Sequence, residues 1–440
     1  MQRVTDLRGK SSGDLRGRER ALKRRRFRSP LQGWGVCSRI YPGLRGLRPA
    51  PFGAIIAGPS GAGLCGHQGR LGESPRMSGM RNRVWLIGLA LAACGVARAQ
   101  WQMQDSHTTA DLRGIANVGN GVAWASGTNG TVLRTEDEGS VWQTCAIPPA
   151  AEHLDFRGVQ AFDANTAIVM SSGKGDLSRL YKTTDGCRSW KIDTSNEEPD
   201  GFWDSVVFQH GNYGFAIGDS HTGVLIGDPV KGRFQTEVMM LGHGWFIDDA
   251  GCSAPDGQAA FAASNSSVFV FGSRRYVLGT GGTAGANAYV SPLLLTGISS
   301  DPCEKVPVPV KGGTDSSGVF SIFFRDLKSG VAVGGDYKKP DDGDRTAAWT
   351  MSTGSNWSAA STTPHGYRSA VAYDNAMKAW ITVGPNGTDV STDDGKNWRA
   401  VHPDAGMHEA PDADRNWNAL SLPFVVGPKG RIGKLDRTRF

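Results

Sequence analysis

Thr135-Glu136-Asp137-Glu138-Gly139-Ser140-Val141-Trp142 and Ser391-Thr392-Asp393-Asp394-Gly395-Lys396-Asn397-Trp398 spell one pattern twice: a hydroxyl residue, then Asp, Gly and Trp at fixed spacing. Two near copies accompany them. Thr183, Asp185 and Trp190 keep the spacing with Cys187 in the Gly place; Thr350, Gly354 and Trp357 keep it with Ser352 in the Asp place. Trp101 and Trp142 stand 41 residues apart, as do Trp357 and Trp398, so the chain is built of repeats. The residue types are those of a tight turn. The carboxylate accepts backbone N–H groups of its own turn, Gly allows positive φ, and Trp seals the gap between neighbouring repeats. Such residues read as scaffold, because a turn recurs with every repeat whereas a catalytic group need occur only once.

The pattern resembles the Asp-box of the bacterial neuraminidase repeat, a turn between the last two strands of a β-propeller blade. After each box comes a strand start of the form apolar, polar, small, apolar. It is found at Leu112-Arg113-Gly114-Ile115, Phe156-Arg157-Gly158-Val159, Trp203-Asp204-Ser205-Val206, Tyr367-Arg368-Ser369-Ala370 and Trp417-Asn418-Ala419-Leu420. Val319-Phe320-Ser321-Ile322 fits with Phe in the polar slot, and the stretch from Phe261 to Val270 fits loosely. This predicts an all-β, seven-bladed propeller of four-stranded blades over residues 100–440, at about 48 residues per blade, within the ~40–50 typical of propeller repeats. Turns at Gly127-Thr128-Asn129-Gly130, Gly384-Pro385-Asn386-Gly387 and Gly427-Pro428-Lys429-Gly430 support the hairpins. The chain ends one strand short after Leu435, and Trp101-Gln102-Met103-Gln104 reads as a lone fourth strand. The N-terminal strand is thus expected to complete the last blade and close the ring. The stretch from Gly279 to Gly285 reads as a flexible Gly-rich loop, and Asp341-Asp342-Gly343-Asp344 as a solvated insertion without calcium-loop spacing. Trp245 marks one blade end in the less regular middle.

Sixty glycines in 440 residues suit many tight turns. The net charge of +6 is misleading. Residues 1–79 hold 16 Lys and Arg against 4 Asp and Glu, whereas from Gln100 onward the count is 29 against 38. An acidic working domain disfavours nucleic-acid binding. Residues 1–79 read as a disordered Arg-rich extension outside the mature protein. Residues 80–99 read as a signal peptide: Arg81 and Arg83, an apolar run from Val84 to Ala93, and Ala97-Arg98-Ala99 before Gln100. Leu91-Ala92-Ala93-Cys94 also fits a lipoprotein box, so membrane attachment would come only through a lipid anchor at Cys94. The protein is expected to be periplasmic or extracellular, with a thylakoid lumen as the alternative.

Four cysteines remain after processing, Cys145, Cys187, Cys252 and Cys303, which in an exported chain suggests two disulfides and three connectivities. Cys145 leaves the first box and Cys187 lies in the next box turn, so this adjacent pair is preferred; Cys252 with Cys303 follows.

In a propeller the innermost strands line the central channel, so the polar slot becomes a ring at one mouth. Arg113, Arg157, Asp204, Arg368 and Asn418 are therefore the candidate binding residues. Three arginines there could hold a carboxylate or another anion, or instead pair with neighbouring Asp residues and backbone carbonyls and plug the ring. Asp-box propellers include sialidases, with an arginine triad and a Tyr nucleophile, and Tyr367 stands beside Arg368. The sialidase Phe-Arg-Ile-Pro signature is missing, however, and Tyr367 occupies the apolar slot. The sequence nominates no carboxylate pair, no triad around Asp219, Ser220 and His221, no cofactor fingerprint and no metal-ligand spacing.

Export signal, closing strand, Asp-box turns and channel arginines together resemble the photosystem II stability/assembly factor family over residues 101–436. The resemblance implies a non-enzymatic lumenal or periplasmic propeller whose arginine surface binds a protein partner, a newly made membrane-complex subunit. Arg113, Arg157 and Arg368 would stand for that surface. A sialidase-like exported glycoside hydrolase is the alternative.

Overall fold

The computed structural model describes residues 101–209, 213–219, 223–228, 233–238, 246–247, 252–253, 256–271, 275–291, 303–404 and 409–437. Residues 1–79, expected as an extension, residues 80–99, expected as an export signal and including Cys94, and Ser220, His221 and Trp245 lie outside these residues. Apart from one 3-10 turn at Gly175–Leu177, the described elements are β-strands.

The strands come in antiparallel groups of four, each folded as a meander. The first group is Leu112–Gly119, Val122–Gly127, Val132–Thr135 and Gln143–Thr144; the second is Phe156–Ala161, Ala167–Ser171, Arg179–Thr183 and Lys191–Ser195. The third is Phe202–Gln209, Tyr213–Asp219, Gly223–Asp228 and Arg233–Val238, followed by a two-stranded pair at Phe246–Ile247 and Cys252–Ser253. The fourth is Val268–Phe271, Arg275–Gly282, Asn287–Val290 and Glu304–Pro307. The fifth is Thr314–Phe324, Gly330–Asp336, Ala347–Thr350 and Ser358–Ala359, and the sixth is Ala370–Asp374, Ala379–Gly384, Gly387–Ser391 and Arg399–Val401. The seventh joins Ala419–Ser421, Phe424–Val426 and Ile432–Leu435 to Trp101–Gln104, with Trp101 opposite Leu435 and Gln104 opposite Ile432. The two ends of the described chain therefore share one sheet, as the missing fourth strand required.

Local chemistry sets the hairpins. Asn120 and Gly121 take φ of 51° and 86° in the first, the left-handed values a two-residue turn needs. In the second, fifth and sixth groups the first hairpin turns on a carboxylate. Asp163 accepts N–H groups of Asn165 and Thr166, Asp326 those of Lys328 and Ser329, and Asp374 those of Ala376 and Met377.

The box turns behave as their residue types dictate. Thr135 Oγ1 accepts the Gly139 N–H at 3.0 Å, and Asp137 Oδ1 accepts the Thr135 hydroxyl at 2.8 Å and the Val141 N–H at 3.0 Å. Asp185 and Asp393 repeat this with Ser189 and Asn397, and Ser352 bonds Thr350 and the Asn356 carbonyl instead. Gly139, Gly354 and Gly395 have φ of 85°, 87° and 78°, and Cys187 adopts 61° in the same place. Each tryptophan then packs on the preceding group. Trp142 meets Phe424 of the seventh, Trp190 meets Trp124 of the first, and Trp398 clusters with Val331 and Val333 of the fifth. Trp357 sits among Val277 and Val290 of the fourth, and Trp101 among Ile381 and Val390 of the sixth.

Further hydrogen bonds link neighbouring groups, among them Ser126 Oγ to the Phe156 carbonyl and Ser369 Oγ to the Trp417 carbonyl. The Leu112 N–H then returns to the Gly427 carbonyl at 3.1 Å. Cys145 and Cys187 form a disulfide between the first and second groups, with Cα atoms 5.3 Å apart. Cys303 is also disulfide-bonded, while the Cys252 side chain lies outside the described set.

Two sequence expectations are corrected. Gly279 to Gly282 is buried strand, not a flexible loop. The fourth and fifth groups pair here, Gly281 opposite Gly318, and a Cβ on Gly281 would lie 2.4 Å from the Ser317 carbonyl oxygen, so close backbone approach excludes a side chain. Secondly, the inner strand of the fourth group begins only at Val268, and residues 260–267 bond to the inner strands of other groups instead.

Candidate functional site

The repeated polar slot has a structural cause. In the first, second, third and fifth groups the ladder skips one residue, between Leu112 and Gly114, Phe156 and Gly158, Trp203 and Ser205, and Val319 and Ser321. The skipped residues are Arg113, Arg157, Asp204 and Phe320. A β-bulge bends the strand and re-aims the extra side chain, and all four line one cavity of about 640 Å3 together with Asn418.

The wall is aromatic as well as charged. Phe261 stacks on Phe320 with centroids 3.9 Å apart, and Tyr367 meets Phe320 edge-on at 4.7 Å. Arg157 donates from Nε to Asp155 Oδ2 at 2.8 Å and from Nη1 to the Ala262 carbonyl at 3.2 Å. Arg113 Nε lies 3.7 Å from Asp155 Oδ1, an ion pair too long for a hydrogen bond, and this buried Nε has no hydrogen-bond partner among the described residues. Asn418 Nδ2 donates to the Leu112 carbonyl at 2.8 Å, linking the seventh group to the first, and Asp204 is buried in the wall.

Arg368 departs from the expected ring. Its group has no bulge, and the ladder starts at Ala370, so the side chain turns inward to Asp389 on the third strand. It is fully buried, with Nε 2.8 Å from Asp389 Oδ2, Nη1 2.8 Å from the Tyr367 carbonyl and Nη2 2.9 Å from His365 Nδ1. Two arginines therefore face the cavity, not three, and Tyr367 fills the sixth position. Burial raises the Tyr367 phenol far above its usual value, the wrong direction for a nucleophile.

Residues 260–267 fill the space between the inner strands. Ser264 Oγ donates to the Ser369 carbonyl, Ser266 Oγ to Ser321 Oγ, and Ser267 Oγ lies 2.7 Å from Ser205 Oγ. Asn265 bonds the Val206 N–H at 2.7 Å and its carbonyl at 2.9 Å. A Cβ on Gly158 would lie 2.8 Å from Asn265 Oδ1, so the small slot of the repeat makes room for this segment. Sequence reasoning missed it, and missed Asp155. The spacing Asp155-Phe156-Arg157, which repeats Asp111-Leu112-Arg113, was a signal for the latter.

Among the described residues no His, Cys, Asp and Glu cluster could hold a metal ion, and no helix is long and apolar enough to cross a membrane.

Fold and site together define a β-propeller-like protein with a charged, aromatic cavity at one end of its inner strands. No family model matches the chain, and no curated protein sequence does. Solved structures share its fold. YCF48 bound to D1 peptide aligns at TM-score 0.50 and 16% identity, over 76% of this chain and 96% of that one. YCF48 from Cyanidioschyzon merolae aligns at TM-score 0.50 and 18% identity, over 77% and 100%. The WD40 β-propeller domain of Doa1 aligns at TM-score 0.49 and 11% identity, over 78% and 98%. YCF48 is a photosystem II assembly factor, so the family that the sequence resembles is also met in the fold comparison.

Proposed function

We propose that the chain is an exported, non-enzymatic seven-bladed propeller with Asp-box turns that binds a protein partner at the charged cavity to support assembly or stability. Each four-stranded group is one blade in this reading. Residues 80–99 direct export and are removed with the extension 1–79, and the Cys145–Cys187 disulfide fits an oxidising compartment. One structural neighbour, YCF48, is solved with a D1 peptide, which supports a peptide segment as ligand.

Arg113 is the observation that carries the site. Arg157 is held by Asp155 and Ala262, and Arg368 is enclosed, whereas Arg113 has only a loose ion pair with Asp155 and lines the cavity beside its aromatic wall. A carboxylate or backbone carbonyl of the partner would take those donors while an apolar side chain covers Phe261 and Phe320. Asp155 offsets much of the arginine charge, so affinity should rest on directed bonds and aromatic contact more than on long-range attraction.

Capture of a membrane-extract protein by the wild-type domain and by Arg113→Ala tests this. The captured protein should fall at least about tenfold in the variant, the loss of roughly one charge-assisted hydrogen bond. Equal capture by the two would remove the cavity from the account.

A further inference from the structure

The inner strands have a second end, and it carries a second cavity. Three or four residues beyond the bulges of the first, second and fifth groups, these strands and the inner strands of the sixth and seventh surround a space of about 370 Å3, with residues 264–269 on one side. Its chemistry is the reverse of the first. None of the lining side chains carries charge at neutral pH. Phe269, Phe323 and Tyr373 supply partly exposed rings, and Asn117, Gln160 and Ser421 supply amides and a hydroxyl.

We propose that this opposite mouth binds a neutral carbohydrate. The inference goes beyond the charged cavity and does not depend on it. The guanidinium of Arg325, which lies over the Tyr373 ring, is paired with Asp394, so a charged ligand would be desolvated here against apolar walls without a free counter-ion, which is strongly unfavourable. A neutral sugar offers C–H faces to the rings and hydroxyls to amide groups, the mix of apolar wall and few convergent polar groups that small-molecule sites use. Polar capacity is left over. Gln160 makes only a 3.4 Å bond to the Ala161 carbonyl, and Ser421 Oγ accepts the Asn117 N–H at 3.0 Å while its own hydrogen remains to be donated. Asn117 is already committed, through Nδ2 to the Leu422 carbonyl and through Oδ1 to the Gly119 N–H, and so shapes the mouth. The volume lies within the ~300–1,000 Å3 of ligand pockets, at the small end, which suits one or two sugar rings.

Calorimetric titration of the mature domain with maltotriose, cellotriose, chitotriose and the anionic sialyllactose tests the proposal. At least one neutral trisaccharide should bind, and Gln160→Leu and Ser421→Ala should each weaken that binding about tenfold while the anionic sugar gives no heat. Both variants are checked for a wild-type thermal midpoint, and either one alone suffices for the comparison. No heat from any neutral sugar, unchanged affinity in a folded variant, or binding of sialyllactose alone would overturn it. Membrane-extract capture at the charged cavity is scored separately, so failure of one site leaves the other standing.

Discussion

At the scale of single residues, the same slot of the repeat has two outcomes, set by what lies next to it. Arg113 and Arg157 sit on bulges and face the cavity, whereas Arg368 finds a buried carboxylate and turns away. Burial alone would raise the Asp389 carboxyl, but the His365 hydrogen bond and the Arg368 charge hold it below its ordinary value of 3.8. A depressed carboxylate contributes stability that is fully present above its unfolded value and is lost as pH falls through the folded one. Asp389→Asn should therefore cost about 3–5 kcal/mol near neutrality, as removal of one partner of a buried pair does. The gap to wild type should begin to narrow as pH falls through the unfolded-state value of about 4 and go on narrowing until the lower folded-state value is passed. Urea midpoints of the two proteins between pH 7 and pH 2 measure this; a gap that stays constant down to pH 2 would mean that the pair does not titrate with folding. The sequence held a partial sign of this, since Asp111 and Asp155 stand two residues before Arg113 and Arg157 whereas Gly366 stands before Arg368, but the Asp389 partner is brought to Arg368 only by the folded sixth group.

For the strand groups, the legible part of the sequence was the part with local chemistry. The boxes at Thr135–Trp142 and Ser391–Trp398 carry their own hydrogen bonds, so the turn is written within eight residues. The strand starts were legible for the same reason, though the bulge behind them was not. Residues 260–267 escaped notice because their partners, Val206, Ser321 and Ser369, lie 55 or more residues away, and the small polar run Ser264-Asn265-Ser266-Ser267 has no period of its own. Gly279 to Gly282 was misread because glycine marks both loops and close strand contacts. If each box tryptophan seals the junction with the group before it, Trp142→Ala and Trp398→Ala should each lose about 3–5 kcal/mol. Thermal melts that match wild type would place those side chains outside the core.

On the scale of the whole molecule, the central claim is closure. Trp101 pairs with Leu435 on the last sheet and is buried against the sixth group, with Nε1 donating to Thr388 Oγ1 at 3.2 Å. Gln104 Oε1 accepts the indole N–H of Trp142 at 2.9 Å, so the same short strand also touches the first group. Four residues thus join the beginning of the fold to its end. Unfolding in urea of the mature domain lacking residues 100–106 is the most direct test. Closure requires a lower midpoint, worth at least about 3 kcal/mol from Trp101 alone, with tryptophan fluorescence and circular dichroism falling together. An unchanged midpoint would show that the groups stand without the join and that the ring does not close through the N-terminal strand.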